Sequence, residues 1–110
     1  MDRIKTEYLN TNKDKTFLKC ELYYSLGGMN YFTGRTEARG YYVSISPVER
    51  ETRDYGVTTE SYTAFSGWEK CVVECARKGK KAEAKALEVY EAAKQEMLGR
   101  FEDLLAGAAA

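Results

Sequence analysis

Three cysteines, a lysine-rich run and a knot of carboxylates are the residues of this chain whose types could do chemistry. Cys71 and Cys75 stand four apart, which on a helix places two thiols one turn from each other. A zinc site needs four ligands, ordinarily CxxC pairs or histidines. Cys20 is the one further sulfur, and the chain has no histidine. Cys71 and Cys75 also fit an apolar stripe, so core packing outweighs a metal or redox role, and Cys20 reads as a small core residue. Glu49, Glu51, Asp54 and Glu60 gather around one turn, but the spacing matches no calcium loop, and Arg50 and Arg53 are interleaved with them. They read as a solvated turn. No phosphate-binding P-loop and no GxGxxG motif is present. Without histidine the chain lacks the commonest general base and the commonest zinc ligand. These residues indicate no enzyme, no catalytic residue, no cofactor and no metal.

What remains is binding chemistry. Between Leu26 and Arg39, Gly27-Gly28, Gly34 and then Gly40 punctuate a stretch holding Met29, Asn30, Tyr31 and Phe32. It is longer than an ordinary hairpin connection. Two readings stay open: a short extra strand over 29–33, turning at Gly34 with Tyr31 and Phe32 partly in the core, or an exposed contact surface. The second makes Asn30, Tyr31, Phe32, Arg35, Arg39 and Tyr42 the partner-binding residues, because Tyr and Arg are enriched in binding hot spots. Tyr23 would join Tyr42 on the surface, where such rings could also stack bases. Arg77, Lys78, Lys80, Lys81 and Lys85 form the one basic cluster and are the candidates for nucleic-acid contact. Glu74, Glu83 and Glu88 interrupt it, as on an ordinary solvated helix face.

The elements that must position these residues follow from periodicity. Thr16–Ser25 alternates, with Leu18, Cys20, Leu22 and Tyr24 on one face, and predicts a strand. Gly40–Val48 alternates with Tyr41, Val43 and Ile45 inward, and Pro47 ends it or marks an edge. Val57–Phe65 is a less regular third strand, with Tyr62 and Ala64 on one face and Thr63 on the other. At Ser66 the period changes. Ser66-Gly67-Trp68-Glu69 fits a capping box, and Trp68, Cys71, Val72 and Cys75 then recur at helical spacing, with Gly79 as a C-terminal stop. A long helix follows over Lys80–Leu105, with Ala86, Val89, Tyr90, Ala93, Met97, Phe101 and Leu104 on one face. The two helices could also be one, with Gly79 inside. Strands before helices predict an α+β domain: an antiparallel meander of three to four strands, then one short and one long helix on one sheet face.

At 110 residues the chain is one domain. Residues 1–15 read as a loose arm, though Ile4, Tyr8 and Leu9 could lay a short piece against the body; 16–105 read as the domain, and 106–110 as a featureless tail. The formal net charge is zero, so the whole molecule is not drawn to nucleic acid or to an anionic membrane. An odd cysteine count, a polar N-terminus and no long apolar run predict a cytoplasmic protein with reduced thiols and no membrane span.

The stretches GGMNYFTG (Gly27–Gly34), RGYYVSISPV (Arg39–Val48), FSG (Phe65–Gly67) and RKGKKAEAKA (Arg77–Ala86) resemble a family of small proteins. These are carried on conjugative elements, plasmids and phages of Gram-positive gut bacteria. The resemblance covers about residues 16–90 and rests chiefly on the GGxNYFTG and RGYY pieces. It implies a non-enzymatic accessory protein of a mobile genetic element, made in the bacterial cytoplasm. Its partner would be a host or phage-defence protein. The sharpest expectation is an anti-CRISPR inhibitor of a type II RNA-guided nuclease; the alternative is a nucleic-acid-binding accessory protein. The resemblance supplies no catalytic residues and no oligomeric state.

Overall fold

The alternating stretches organise the sheet. The computed structural model describes residues 2–11, 14–32, 34–53, 55–62 and 67–109, with only the backbone of 30 and 104–109. Asp54, Thr63, Ala64, Phe65 and Ser66, and the side chains of Asn30 and Leu104, therefore lie outside the described residues. The elements are β1 (Asp2–Asn10), β2 (Thr16–Ser25), β3 (Gly28–Asn30), β4 (Arg35–Glu37), β5 (Gly40–Thr52), β6 (Thr58–Tyr62), β7 (Trp68–Glu74) and α1 (Lys80–Ala109).

β2 and β5 pair antiparallel from Thr16 opposite Glu49 to Ser25 opposite Gly40. β1 pairs with the outer edge of β2, from Asp2 opposite Tyr24 to Asn10 opposite Phe17. The other edge of β5 is shared: β7 takes its first half, Gly40–Ile45, and β6 its second, Val48–Thr52. β3 and β4 form a separate two-stranded sheet between β2 and β5.

The fold is thus α+β, but with a five-stranded antiparallel sheet and a single C-terminal helix. This corrects the expected meander of three to four strands with a short and a long helix. The residues expected to form the short helix are strand β7. The reason lies in a bulge: the register shifts where β7 passes Tyr41 and Tyr42. An extra residue in a strand breaks its two-residue alternation. Trp68, Val72, Val73 and Cys75 consequently all reach the core, at a spacing that imitates a helix. The free edge of β5 offers this β-branched, aromatic stretch backbone partners that a helix would leave unmet. Gly79, expected to stop a helix, instead starts one: its carbonyl accepts the Glu83 N–H at 2.9 Å.

The stretch expected to be a loose arm contains β1. Its charges have distant partners, which a local pattern does not reveal. Arg3 pairs with Glu21 at 3.1 Å, and Lys5 with Glu91 at 3.4 Å. Ile4 and Leu9 pack on the core.

Leu18, Cys20, Leu22, Tyr24, Tyr41, Val43 and Ile45 line the inner face of the sheet, and Ala86, Tyr90, Ala93 and Phe101 of α1 cover it. Full burial of a side chain such as Leu22 or Ile45 contributes about 1.5–3 kcal/mol. Tyr90 crosses the layer, its hydroxyl donating to Glu7 Oε1 at 2.8 Å and lying 3.3 Å from the Cys20 carbonyl oxygen. Lys94 is buried beside it and reaches Glu7 Oε1 and Glu91 Oε2, each at 2.9 Å. Burial pulls the Lys94 ammonium down, but Glu91 and Glu7 outweigh it and hold its pKa above the ordinary value.

The Lys94 hydrogen bond is the main reason that the Glu7 carboxyl is held down to about 2 from 4.5. A depressed carboxylate stabilises the fold above its unfolded pKa and loses that contribution as pH falls through the folded one. Stability is therefore expected to fall between about pH 4.5 and 2. Glu7→Gln keeps the shape, so it should lower stability at neutral pH and flatten this acid limb. Urea midpoints from pH 7 to 2 check this. An unchanged limb in the variant would show that Glu7 does not drive it. Some slope should remain, because Glu60 and Glu91 are also lowered.

Candidate functional site

The site is built from its neck outward. Where β2 ends, Gly27 has φ 70°, and a Cβ there would lie 2.6 Å from the Glu37 carbonyl oxygen. Where β5 begins, Gly40 has φ 157°, and a Cβ there would fall on the Val73 carbonyl oxygen. Only glycine allows both backbone paths. Between them β3 and β4 pair from Gly28 opposite Glu37 to Asn30 opposite Arg35. This leaves Tyr31 and Phe32 in the turn.

Those rings point into solvent. Tyr31 is 90% exposed and Phe32 101%, with Met29 at 60% and Leu26 at 63% alongside. A short extra strand does form, but over Gly28–Asn30 and not 29–33, and the two rings that the first reading placed partly in the core are exposed. Pairing of a three-residue strand does not by itself bury a turn.

The neck is fastened to the body. Arg39 Nε donates to the Leu26 carbonyl at 3.2 Å, and its Nη1 to the Ala76 carbonyl at 3.3 Å. The Cys75 N–H donates to the Arg39 carbonyl at 3.1 Å. Tyr24 donates to the Cys75 carbonyl at 3.2 Å, and the Gly79 N–H donates to the Tyr41 hydroxyl at 3.2 Å. Arg39, expected among the contact residues, is thus engaged as a brace.

Tyr42 is also turned inward. It is 7% exposed, stacks on Tyr23 with centroids 5.4 Å apart, and donates to the Ala38 carbonyl at 2.6 Å. Burial, with Cys71 and Glu37 nearby, raises its phenol to about 12. Tyr23 is 9% exposed and donates to Glu69 Oε1 at 2.5 Å. The tyrosines expected to face outward from the sheet therefore support the neck. Of the six expected contact residues, Tyr31 and Phe32 stand together at the tip. Arg35 is exposed in β4 below them.

The basic residues divide. Lys78 is ion-paired with Asp2 and lies 6.0 Å from the Tyr24 ring centroid. Arg77, Lys80, Lys81 and Lys85 are exposed and, among the described residues, make no ion pair. Tyr55 and Val57 at the β5–β6 turn, and Tyr62 at the other end of β6 opposite Val48, are also exposed. The sequence reading gave Tyr55 and Val57 no role but placed Tyr62 on the sheet's inner face, which its 74% exposure corrects. Along β5 that turn is at the far end from the β3–β4 hairpin.

Two of the thiols, Cys20 and Cys71, are held in their neutral form. Burial raises Cys20 to about 12 and also raises Cys71, which works against a reactive thiolate at neutral pH. Among the described residues no cluster of three His, Cys, Asp or Glu could hold a metal ion. No helix there is long and apolar enough to cross a membrane.

Fold and site together define a sheet-rich α+β domain with a braced, aromatic-tipped hairpin. No family model, curated protein or solved structure matches the chain. The resemblance to mobile-element proteins therefore rests on its motifs alone.

Proposed function

We propose that this protein is a non-enzymatic protein-binding module that docks through the β3–β4 hairpin. The carrying observation is the exposure of Tyr31 and Phe32, at 90% and 101%, on a neck that glycine geometry and Arg39 hold in place. Exposed aromatic rings cost solvation and are the residues that most often anchor an interface. A preorganised hairpin also loses little entropy on docking. The motif resemblance supplies the partner class. The module belongs to a mobile genetic element, works in the bacterial cytoplasm, and inhibits a host or phage-defence protein. A type II RNA-guided nuclease is the first such target to test.

The test is capture by the immobilised protein from a Gram-positive cell extract digested with nuclease, joined to a cleavage assay on a purified type II nuclease. A protein partner retained after digestion is expected, and the nuclease, if it is that partner, should lose activity. Retention that disappears with digestion would instead favour the nucleic-acid reading.

A further inference from the structure

The hairpin and the basic cluster, far apart in sequence, meet at one end of the molecule. Arg39 bridges the Leu26 and Ala76 carbonyls, and Tyr41 holds Gly79, so both ends of the 75–79 segment are tied to the hairpin neck. Lys80 and Lys81 follow immediately, in the first turn of α1. From Glu69 to Lys85 the chain carries six cations and three carboxylates, on a molecule whose formal net charge is zero. Lys80 and Lys81 also sit at the positive end of the helix dipole, which penalises cations there. Their charge serves no ion pair among the described residues.

We infer that the hairpin tip and the start of α1 form one composite surface, whose partner is an acidic protein surface with an apolar recess. The recess would take Phe32 and Tyr31, and flanking carboxylates would meet Arg77, Lys80 and Lys81. This rests on the hairpin reading and deepens it. Single-stranded nucleic acid is the less fitting occupant. Adjacent residues in a turn present their rings on a convex tip, whereas strand binders stack bases along a basic groove.

The test is selection from a random dodecapeptide phage library on the intact protein. The selected peptides are then titrated at low and high salt. Acidic peptides with an apolar cluster should be enriched, and should bind more weakly as salt rises. Lys80→Glu with Lys81→Glu should weaken them at least tenfold. The fold should survive, since acidic residues suit a helix start. Arg53→Glu, at the far end of β5, should leave affinity unchanged. Peptides that need Phe32 but lack acidic residues, or ignore salt and the lysine reversal, would overturn the composite surface and leave the hairpin reading standing. No enriched peptide, or none needing Phe32, would overturn both. Oligothymidylate that binds more tightly than any peptide, and depends on Phe32 and Lys80, would assign the surface to nucleic acid instead.

Discussion

Gly40→Ala is expected to cost about 3–5 kcal/mol, a large share of the roughly 5–15 kcal/mol that holds a domain of this size. Two costs combine. A side chain at φ 157° is strained, by about 1–3 kcal/mol. The added methyl also meets the Val73 carbonyl, a backbone atom fixed by the pairing of Tyr41 with Val73. Overpacking of that kind costs about 1–3 kcal/mol more. The thermal midpoint should drop by about 10–25 °C. Gly99→Ala is the contrast: it lies in α1 with open space around it, and should stabilise by about 0.5–1 kcal/mol. Paired melting curves check both. A Gly40→Ala midpoint equal to the parent's would mean that the neck is not the close crossing described.

Tyr31→Ala combined with Phe32→Ala is expected to weaken partner binding by about 10²- to 10³-fold. Truncating an anchoring aromatic commonly costs about 2 kcal/mol or more, and neighbouring anchors do not add fully. The folded domain should not notice. Rings exposed at 90% and 101% bury almost nothing, so stability should change by no more than about 0.5 kcal/mol. Affinity for the captured partner and a denaturation midpoint, taken on the same preparation, separate the two effects. A fall in both would mark the rings as structural. Unchanged affinity would place the contact elsewhere, with Tyr55 and Tyr62 as the next candidates.

The sequence announced the central pair of strands because both alternate cleanly and bury one face. Cys20 stands opposite Ile45 and Leu22 opposite Val43 in register, and these four with Leu18 each lie at 2% exposure or less. The long helix was legible from its apolar stripe, and Ala86, Tyr90, Ala93 and Phe101 do face the sheet. β7 was hidden because its bulge replaced alternation with a helix-like spacing. β1 was hidden because its polar residues find partners in β2 and α1, contacts spanning most of the chain, as Glu7 does with Tyr90 and Lys94. At the site, the glycines flagged a projection, and Tyr31 and Phe32 stand on it. Composition could not distinguish those rings from Tyr23, Tyr41 and Tyr42, which are equally tyrosine-rich strand material. The difference is set by position: the latter three have sheet neighbours, and Tyr31 and Phe32 sit in a turn.

The most direct measurement is site-specific photo-crosslinking. The photoreactive amino acid p-benzoylphenylalanine is placed at the position of Phe32 in one sample and of Tyr55 in another, two exposed sites at opposite ends of β5. Both substitutions should leave the fold intact. The hairpin account predicts a discrete protein adduct from position 32 and none from position 55. Adducts from position 55 alone, or in equal yield from both, would contradict it.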